Sequence, residues 1–220
     1  LMLNLKLLEE DLTDAFDPES AVLRRARLKI RTARGEAESL QRQLDEFLLL
    51  VKPVKLATQR ADLNEIVDRL VDFYTPEAHR HDIALRYQRS DEALPCAVDA
   101  ASLQQALLNL LINAQQAICG PGEIIITTQR LGPCVRVDVA DTGEGMTPEV
   151  AAQALRAFFS TKANGSGLGL STTARIVDAH QGTLNLHTEP GVGTRYEITL
   201  PRADEPVAPP RMQAPPGAVE

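Results

Sequence analysis

The first fifty residues carry a hydrophobic pattern that is typical of long helices. Between residues 22 and 52, apolar or small side chains recur at alternating intervals of three and four, at Leu23, Ala26, Ile30, Ala33, Ala37, Leu40, Leu44, Phe47 and Val51. This spacing predicts a helix that packs along one stripe on other helices. Pro53 predicts where that helix ends, because proline breaks a helix interior.

A shorter stripe of the same kind precedes this helix, at Leu1, Leu5, Leu8 and Leu12. The residues 17–20, Asp-Pro-Glu-Ser, interrupt the stripe and offer a new helix start. Two stripes joined by a short loop predict an antiparallel hairpin. A lone hairpin leaves much of each stripe exposed, so we expect a homodimer in which two hairpins form a four-helix bundle. The alternative is a hairpin that folds back on its own globular domain.

After Pro53 the pattern becomes mixed. The periodicity predicts helices at residues 63–78, 100–118 and 170–179, and strands at 83–88, 123–129, 135–140, 183–187 and 194–200. We therefore expect an α+β chain in three parts, a helical hairpin (residues 1–53), an α/β sandwich with a mixed sheet (54–201) and a proline-rich, disordered tail (202–220).

The composition of the chain argues against several classes of partner and site. The net charge of -7 argues against a nucleic-acid partner, because binding phosphate backbones needs a clustered basic surface. Cys96, Cys119 and Cys134 are widely spaced and include no CxxC pair, which favours a reducing compartment such as the cytoplasm over a disulfide framework or a zinc site. No apolar run approaches the ~20 residues that a membrane helix needs. The chain begins at Leu1 rather than Met, so we expect any membrane attachment to belong to segments outside it.

The first candidate cluster lies on the apolar helix predicted at residues 100–118. Asn109 and Asn113 are four residues apart, so both amides leave the same face of a helix that is otherwise built to be buried. Buried amides need partners, which a cation with phosphate oxygens would supply. The alternative is that both amides bind the backbone of a neighbouring loop.

The second cluster, Asp141-Thr-Gly143-Glu-Gly145-Met146, directly follows a strand of alternating valines. Glycines two residues apart permit close approach of the backbone to a ligand, and a carboxylate at the end of a strand can accept a hydrogen bond from an exocyclic amine. That chemistry prefers adenine to guanine, which presents a carbonyl at this position. A plain turn with an aspartate cap remains the alternative.

The third cluster runs from Phe158 to Lys162 and continues into a glycine-rich segment, residues 165–169, where a helix begins. Glycines at a helix start direct backbone N–H groups and the positive end of the helix dipole towards an anion, and Lys162 adds a positive charge. The segment resembles a lid that grips phosphates. The alternative is a flexible solvent loop, against which the apolar Phe158 and Phe159 argue.

These three clusters, in this order, resemble the catalytic domain of two-component histidine kinases in the GHKL superfamily. Residues 109–114 are similar to the N box, 141–145 to the G1 box, 158–162 to the F box and 165–169 to the G2 box, and the similarity covers roughly residues 62–201. Four boxes in the correct order are far more specific than any one of them. The resemblance implies a Bergerat-type α/β sandwich that binds ATP and Mg²⁺.

The family's roles follow position by position from that resemblance. Asn113 would coordinate Mg²⁺, and Asn109 and Gln116 would line the phosphate side. Asp141 would accept from the adenine amine, in a pocket shaped by Gly143, Gly145 and Met146. Lys162, Gly167, Leu168 and Gly169 would close over the phosphates, and Thr194 would lie behind the adenine.

The resemblance also implies a reaction, an autophosphorylation on histidine with onward transfer to an aspartate of a response-regulator receiver domain. No histidine precedes His79, so we expect the phosphoacceptor upstream of this chain, and His79, His81, His180 and His187 to be ordinary surface or packing residues. Two alternatives remain, a degenerate module that serves only dimerisation or interaction, and a GHKL ATPase or serine kinase. Asn109 disfavours the ATPase, whose relatives place a glutamate base there.

Overall fold

The computed structural model describes residues 25–33, 35, 37, 56–162 and 165–203. The chain divides between Pro53 and Val54 into two compact units, which are considered separately. In the first unit, all the described residues are helical, and Ile30 is buried whereas Leu28 is exposed, in agreement with the predicted stripe. The rest of the predicted hairpin lies outside the described residues, as do residues 204–220 of the predicted tail.

The second unit alternates helices and strands. In chain order they are β1 (Gln59–Asp62), α1 (Leu63–Arg80), β2 (Ile83–Gln88), β3 (Pro95–Val98), α2 (Ala100–Ala117), β4 (Gly122–Leu131), β5 (Cys134–Asp141), α3 (Pro148–Ala151), α4 (Gly169–Ala179), β6 (Thr183–Glu189) and β7 (Gly193–Pro201). Every helix and strand predicted in this part of the chain is therefore present, within a few residues at each end.

The main sheet has the strand order β2-β4-β5-β7-β6. β2 pairs with β4 in parallel, and the other neighbours are antiparallel, so the prediction of a mixed sheet is confirmed. The alternation in β5 shows how the sheet forms. Val135, Val137 and Val139 are buried in the core, whereas Arg136 and Asp138 lie on the opposite face and form an ion pair there.

The helices cover one face of this sheet. Leu103, Leu107, Leu110 and Leu111 of α2 are almost fully buried, because they recur at helical spacing along one side of the helix. Aspartates cap two of these helices. Asp62 accepts from the backbone N–H of the second residue of α1, and Asp99 accepts from an N–H in the first turn of α2. Because one side of α2 is buried against the sheet, the position of the helix and the direction of its polar side chains are fixed.

Three features were not predicted from the sequence. β1 and β3 form a separate two-stranded antiparallel sheet, and α3 is a helix of four residues. The predicted tail begins two residues too early, because Arg202 N donates to Pro133 O and Ala203 N donates to Pro95 O, both at 3.1 Å. Backbone pairing thus continues past the end of β7, where Arg202 also forms an isolated bridge with Cys96, and a proline-rich composition does not reveal this.

Candidate functional site

The polar residues of α2 face the start of α4 and the segment before it. The amide Nδ2 of Asn109 donates to Gly169 O at 3.3 Å, and Lys162 Nζ donates to Gln116 Oε1 at 2.8 Å. Asn113 Nδ2 is a buried atom that has no hydrogen-bond partner among the described residues. Burying an amide nitrogen without a hydrogen-bond partner costs free energy, so the unpaired Nδ2 of Asn113 indicates that a ligand binds here.

Asp141 lies at the end of β5 with only 8% of its surface exposed. Its Oδ1 accepts from Gly143 N at 2.8 Å and from Thr194 N at 3.3 Å. Burial raises the pKa of this carboxyl above its usual range, although both hydrogen bonds and the nearby Lys162 act to lower it. Since both backbone donors bind Oδ1, the geometry leaves Oδ2 to accept from a ligand.

The glycines after β5 are needed because the backbone passes close to other segments. A Cβ on Gly143 would lie 2.7 Å from Ala117 O, at the end of α2. Gly145 has φ of 64°, and its Cβ would lie 2.0 Å from Glu189 O. The loop is thus held between α2 and the β6–β7 turn, which brings Asp141 and the asparagines of α2 to the same part of the domain.

Met146 and Thr194 are connected to Asp141 by hydrogen bonds, directly for Thr194 and through Thr188 for Met146. The side chain of Met146 is partly buried against the core, and its backbone N donates to Thr188 Oγ1 at 2.9 Å. Thr188 Oγ1 in turn lies 3.0 Å from Thr194 Oγ1. The predicted pocket residues of the second cluster are therefore linked to Thr194 as well.

The glycine-rich segment is tied to the preceding phenylalanines. Phe158 N donates to Gly167 O at 3.0 Å, and a Cβ on Gly167, whose φ is 67°, would lie 2.5 Å from the carbonyl carbon of Phe158. Phe158 itself is 63% exposed, so its side chain adds nothing to the argument against a flexible solvent loop. Leu168 is 2% exposed, so its side chain belongs to the core and only its backbone can face a ligand.

Helix α4 starts at Gly169 without a hydrogen bond from a capping side chain in the described part of the chain. Its first backbone N–H groups therefore point towards any anion placed before the helix, where the positive end of the dipole also acts. This is the geometry that the glycine cluster predicts.

Lys162 lies among acidic groups. Its burial lowers the pKa of the ammonium, and the charges of Glu144 and Asp141 act in the opposite direction. The lysine thus has Gln116 as its hydrogen-bond partner and two carboxylates within electrostatic range. The segment that holds Lys162, helix α2 and the loop after β5 consequently meet in one place.

The sequence interpretation missed two residues of this site, Thr188 and Glu144. Thr188 could have been found, because it follows Leu184 and Leu186 at strand spacing and so puts a hydroxyl on the core face of β6. Glu144 stands between two glycines that drew attention for their conformation, and nothing in the sequence places it beside Lys162.

Other kinds of site are not found in the part of the chain that the structure describes. It contains no group of three or more histidine, cysteine, aspartate or glutamate side chains that could hold a metal. None of its helices is long and apolar enough to cross a membrane. Cys96, Cys119 and Cys134 are all free thiols. His180 is buried and accepts from Asp99 N through Nε2, as expected of a packing residue.

Comparison with known proteins identifies the family of this chain. Residues 98–204 match the family of histidine kinase-, DNA gyrase B- and HSP90-like ATPases. The sensor histidine kinase ZraS of Escherichia coli K12 is 36% identical over 166 residues, which is 76% of this chain and 36% of ZraS. The chain thus spans about a third of the length of this curated relative.

Solved structures of histidine kinases have a similar fold. The catalytic domain of histidine kinase ThkA has a TM-score of 0.61 at 27% identity, covering 66% of this chain and 95% of that domain. A second structure, of histidine kinase ThkA in complex with the response regulator protein TrrA, has a TM-score of 0.70 at 22% identity and covers 90% of this chain and 57% of the other, which is likeness of fold alone.

The family match and the fold define a domain of the histidine kinase-, gyrase- and HSP90-like ATPase class. Within that class, the chain belongs to the two-component sensor histidine kinases.

Proposed function

We propose that this chain binds ATP with Mg²⁺ and transfers the γ-phosphoryl group to a histidine, from which it passes to an aspartate of a response-regulator receiver domain. The observation that carries the proposal is the convergence of three elements, the polar face of α2, the buried carboxylate of Asp141 and the segment that holds Lys162. Each supplies a group suited to a different part of a nucleotide.

The base side of the site fits adenine. Because both backbone donors to Asp141 bind Oδ1, Oδ2 is available for the exocyclic amine, and Met146 provides an apolar wall. Guanine would direct a carbonyl oxygen at the same carboxylate, and two acceptors facing each other repel.

The phosphate side fits a triphosphate with Mg²⁺. The buried Nδ2 of Asn113 has no partner in the described residues, and a phosphate oxygen would satisfy it while the amide oxygen remains for the cation. Mg²⁺ is usually held by one or two protein ligands together with phosphates and water, so the amide oxygen of Asn113 can serve as its protein ligand. Bound there, Mg²⁺ would neutralise charge on the transferred phosphoryl group.

The residues present favour transfer to a side chain over hydrolysis. Asn109 carries an amide, which cannot take a proton from water at neutral pH, and its Nδ2 already donates to Gly169 O. Phosphoryl transfer depends mainly on positioning and on charge neutralisation, which Lys162 and the first amides of α4 can provide. This argues against the alternative of a rapid ATPase.

The partners are part of the same proposal. We propose that residues 1–53 form the dimerisation hairpin, that the acceptor histidine belongs to a longer form of the protein, and that a receiver domain is the onward acceptor. The ThkA structure with TrrA supports a partner of that class. The three free thiols support a reducing compartment such as the cytoplasm, with any membrane attachment through other segments. Residues 204–220 are proposed to follow the catalytic domain as a separate tail.

Calorimetric titration of the purified chain with ATP, with and without Mg²⁺, tests the proposal. We expect Asn113→Ala to weaken Mg²⁺-dependent ATP binding about tenfold or more, because a metal ligand is lost. Asn185→Ala, the same change at an exposed position of β6, is the matched control and should bind as the parent does. A parent chain that binds no ATP would contradict the proposal and favour a degenerate interaction module.

A further inference from the structure

One hydroxyl outside the sequence motifs connects two walls of the base pocket. Thr188 Oγ1 accepts from Met146 N at 2.9 Å and donates to Gly193 O at 3.1 Å. Thr194 Oγ1 lies 3.0 Å from Thr188 Oγ1 and can donate a hydrogen bond to it. A hydroxyl has one donor and two acceptor sites, so these contacts use its full capacity.

The contacts of Thr188 belong to a wider junction between two loops. Gly191 N, in the β6–β7 turn, donates to Glu144 O at 2.7 Å. Gly145 lies so close to Glu189 O that no side chain fits between them. The end of β6 and the β6–β7 turn therefore contact residues 144–146, and Thr188 provides a side-chain contact at this junction.

The same hydroxyl is connected to the carboxylate. Thr194 N donates to Asp141 Oδ1 at 3.3 Å, and the Thr194 hydroxyl contacts Thr188. One route through side chains and backbone thus runs from Met146 through Thr188 and Thr194 to Asp141. This route joins Asp141, the acceptor for the adenine amine, to Met146, the apolar wall of the pocket, and so controls the distance between them.

We infer that Thr188 is a positioning residue for the nucleotide base, acting through its hydroxyl on Met146 and on the Thr194–Asp141 pair. This inference rests on the proposed ATP site. Without the hydroxyl, Met146 N loses its acceptor, and the loop keeps backbone contacts such as those from Glu144 N to Ala117 O and from Gly191 N to Glu144 O. The loop then samples positions that contact the base less well.

Three variants separate the hydroxyl from the volume of the side chain. Thr188→Val keeps the shape and removes the hydroxyl, Thr188→Ser keeps the hydroxyl, and Thr183→Val makes the first change at an exposed position of the same strand. We expect Mg²⁺·ATP to bind Thr188→Val about fivefold to tenfold more weakly, the loss that one hydrogen bond implies. Thr188→Ser and Thr183→Val should bind within about twofold of the parent.

A second measurement addresses the geometry without nucleotide. Hydrogen exchange of the Met146 amide should be faster in Thr188→Val than in the parent and should return to the parent rate in Thr188→Ser, because the serine hydroxyl restores the acceptor. Thermal unfolding of all variants shows which of them are folded during the titrations.

The outcomes distinguish this inference from the proposed function. A parent that binds ATP together with a folded Thr188→Val that binds equally well would overturn the role of Thr188 alone. Equal weakening in Thr188→Ser and Thr188→Val would overturn it too, because the hydroxyl would then not be the cause. A parent that binds no ATP would remove the proposed function, and this inference with it.

Discussion

Replacing Asp141 by asparagine changes one atom at the base end of the site. The new side chain can keep Oδ1 as the acceptor for Gly143 N and Thr194 N, which places an NH₂ group where Oδ2 stands in the parent. Two amino groups, one from adenine and one from the amide, would then face each other. The variant loses a hydrogen bond to a charged group, about 1.5–3 kcal/mol, which is roughly tenfold to 150-fold in ATP affinity.

The same substitution should leave the fold as stable as before or make it more stable. Burial holds the pKa of Asp141 above its usual value, so the folded state binds the proton more tightly than the unfolded chain does. The stability that this group contributes is present in acid and is lost as pH rises through the folded pKa. At neutral pH the asparagine removes a buried charge and retains both backbone hydrogen bonds.

Two measurements on Asp141→Asn check this reasoning, thermal unfolding at neutral pH and calorimetric titration with Mg²⁺·ATP and Mg²⁺·GTP. We expect an unfolding temperature equal to or above that of the parent, weaker ATP binding, and a smaller preference for ATP over GTP, because the new amide can donate to the guanine carbonyl. Parent-like ATP affinity in the folded variant would refute the role of the carboxylate.

Three further predictions follow from the site. ATP affinity should fall in acid, starting at a higher pH than an ordinary aspartate would produce, because protonated Asp141 cannot accept from adenine; titrations across pH check this, and Asp141→Asn should lack the effect. Gly145→Ala should lower the free energy of unfolding by about 2 kcal/mol, measured by denaturant titration, since its φ is 64° and Glu189 O occupies the space of the new Cβ. The chain incubated with labelled ATP should retain no acid-labile phosphate, because its 4 histidines all lie outside residues 1–53, the proposed dimerisation hairpin, whereas a form extended to include an acceptor histidine should retain it.

Strands and helices with strong periodicity were predictable. Alternating valines specify β5, and the buried face of α2 follows from leucines at helical spacing. β1 and β3 were missed because each has four residues, too few for a period to show, and they pair with each other across the intervening α1 and β2. Their position depends on the rest of the fold rather than on their own sequence.

The residues of the candidate site could be predicted where they belong to sequence motifs. They could not be predicted where their contacts join distant parts of the chain. The glycine loops and the asparagines of α2 are detectable by their spacing, but Thr188 reaches Met146 across 42 positions of sequence. The exposure of Phe158 could not be predicted from the sequence, because apolar character alone does not show which side chains of a loop pack inward. Contacts between residues so far apart in the sequence form only when the tertiary fold brings their segments together.

If the proposed function is right, α2, the loop after β5 and the glycine-rich segment all bind one nucleotide. Titrating isotope-labelled protein with Mg²⁺·ATP and following backbone amide chemical shifts by NMR tests this most directly. We expect the amides of Asn113, Gly143, Lys162, Gly167 and Gly169 to shift together along a single binding curve. Shifts confined to one of these segments, or none at all at saturating nucleotide, would contradict a shared site.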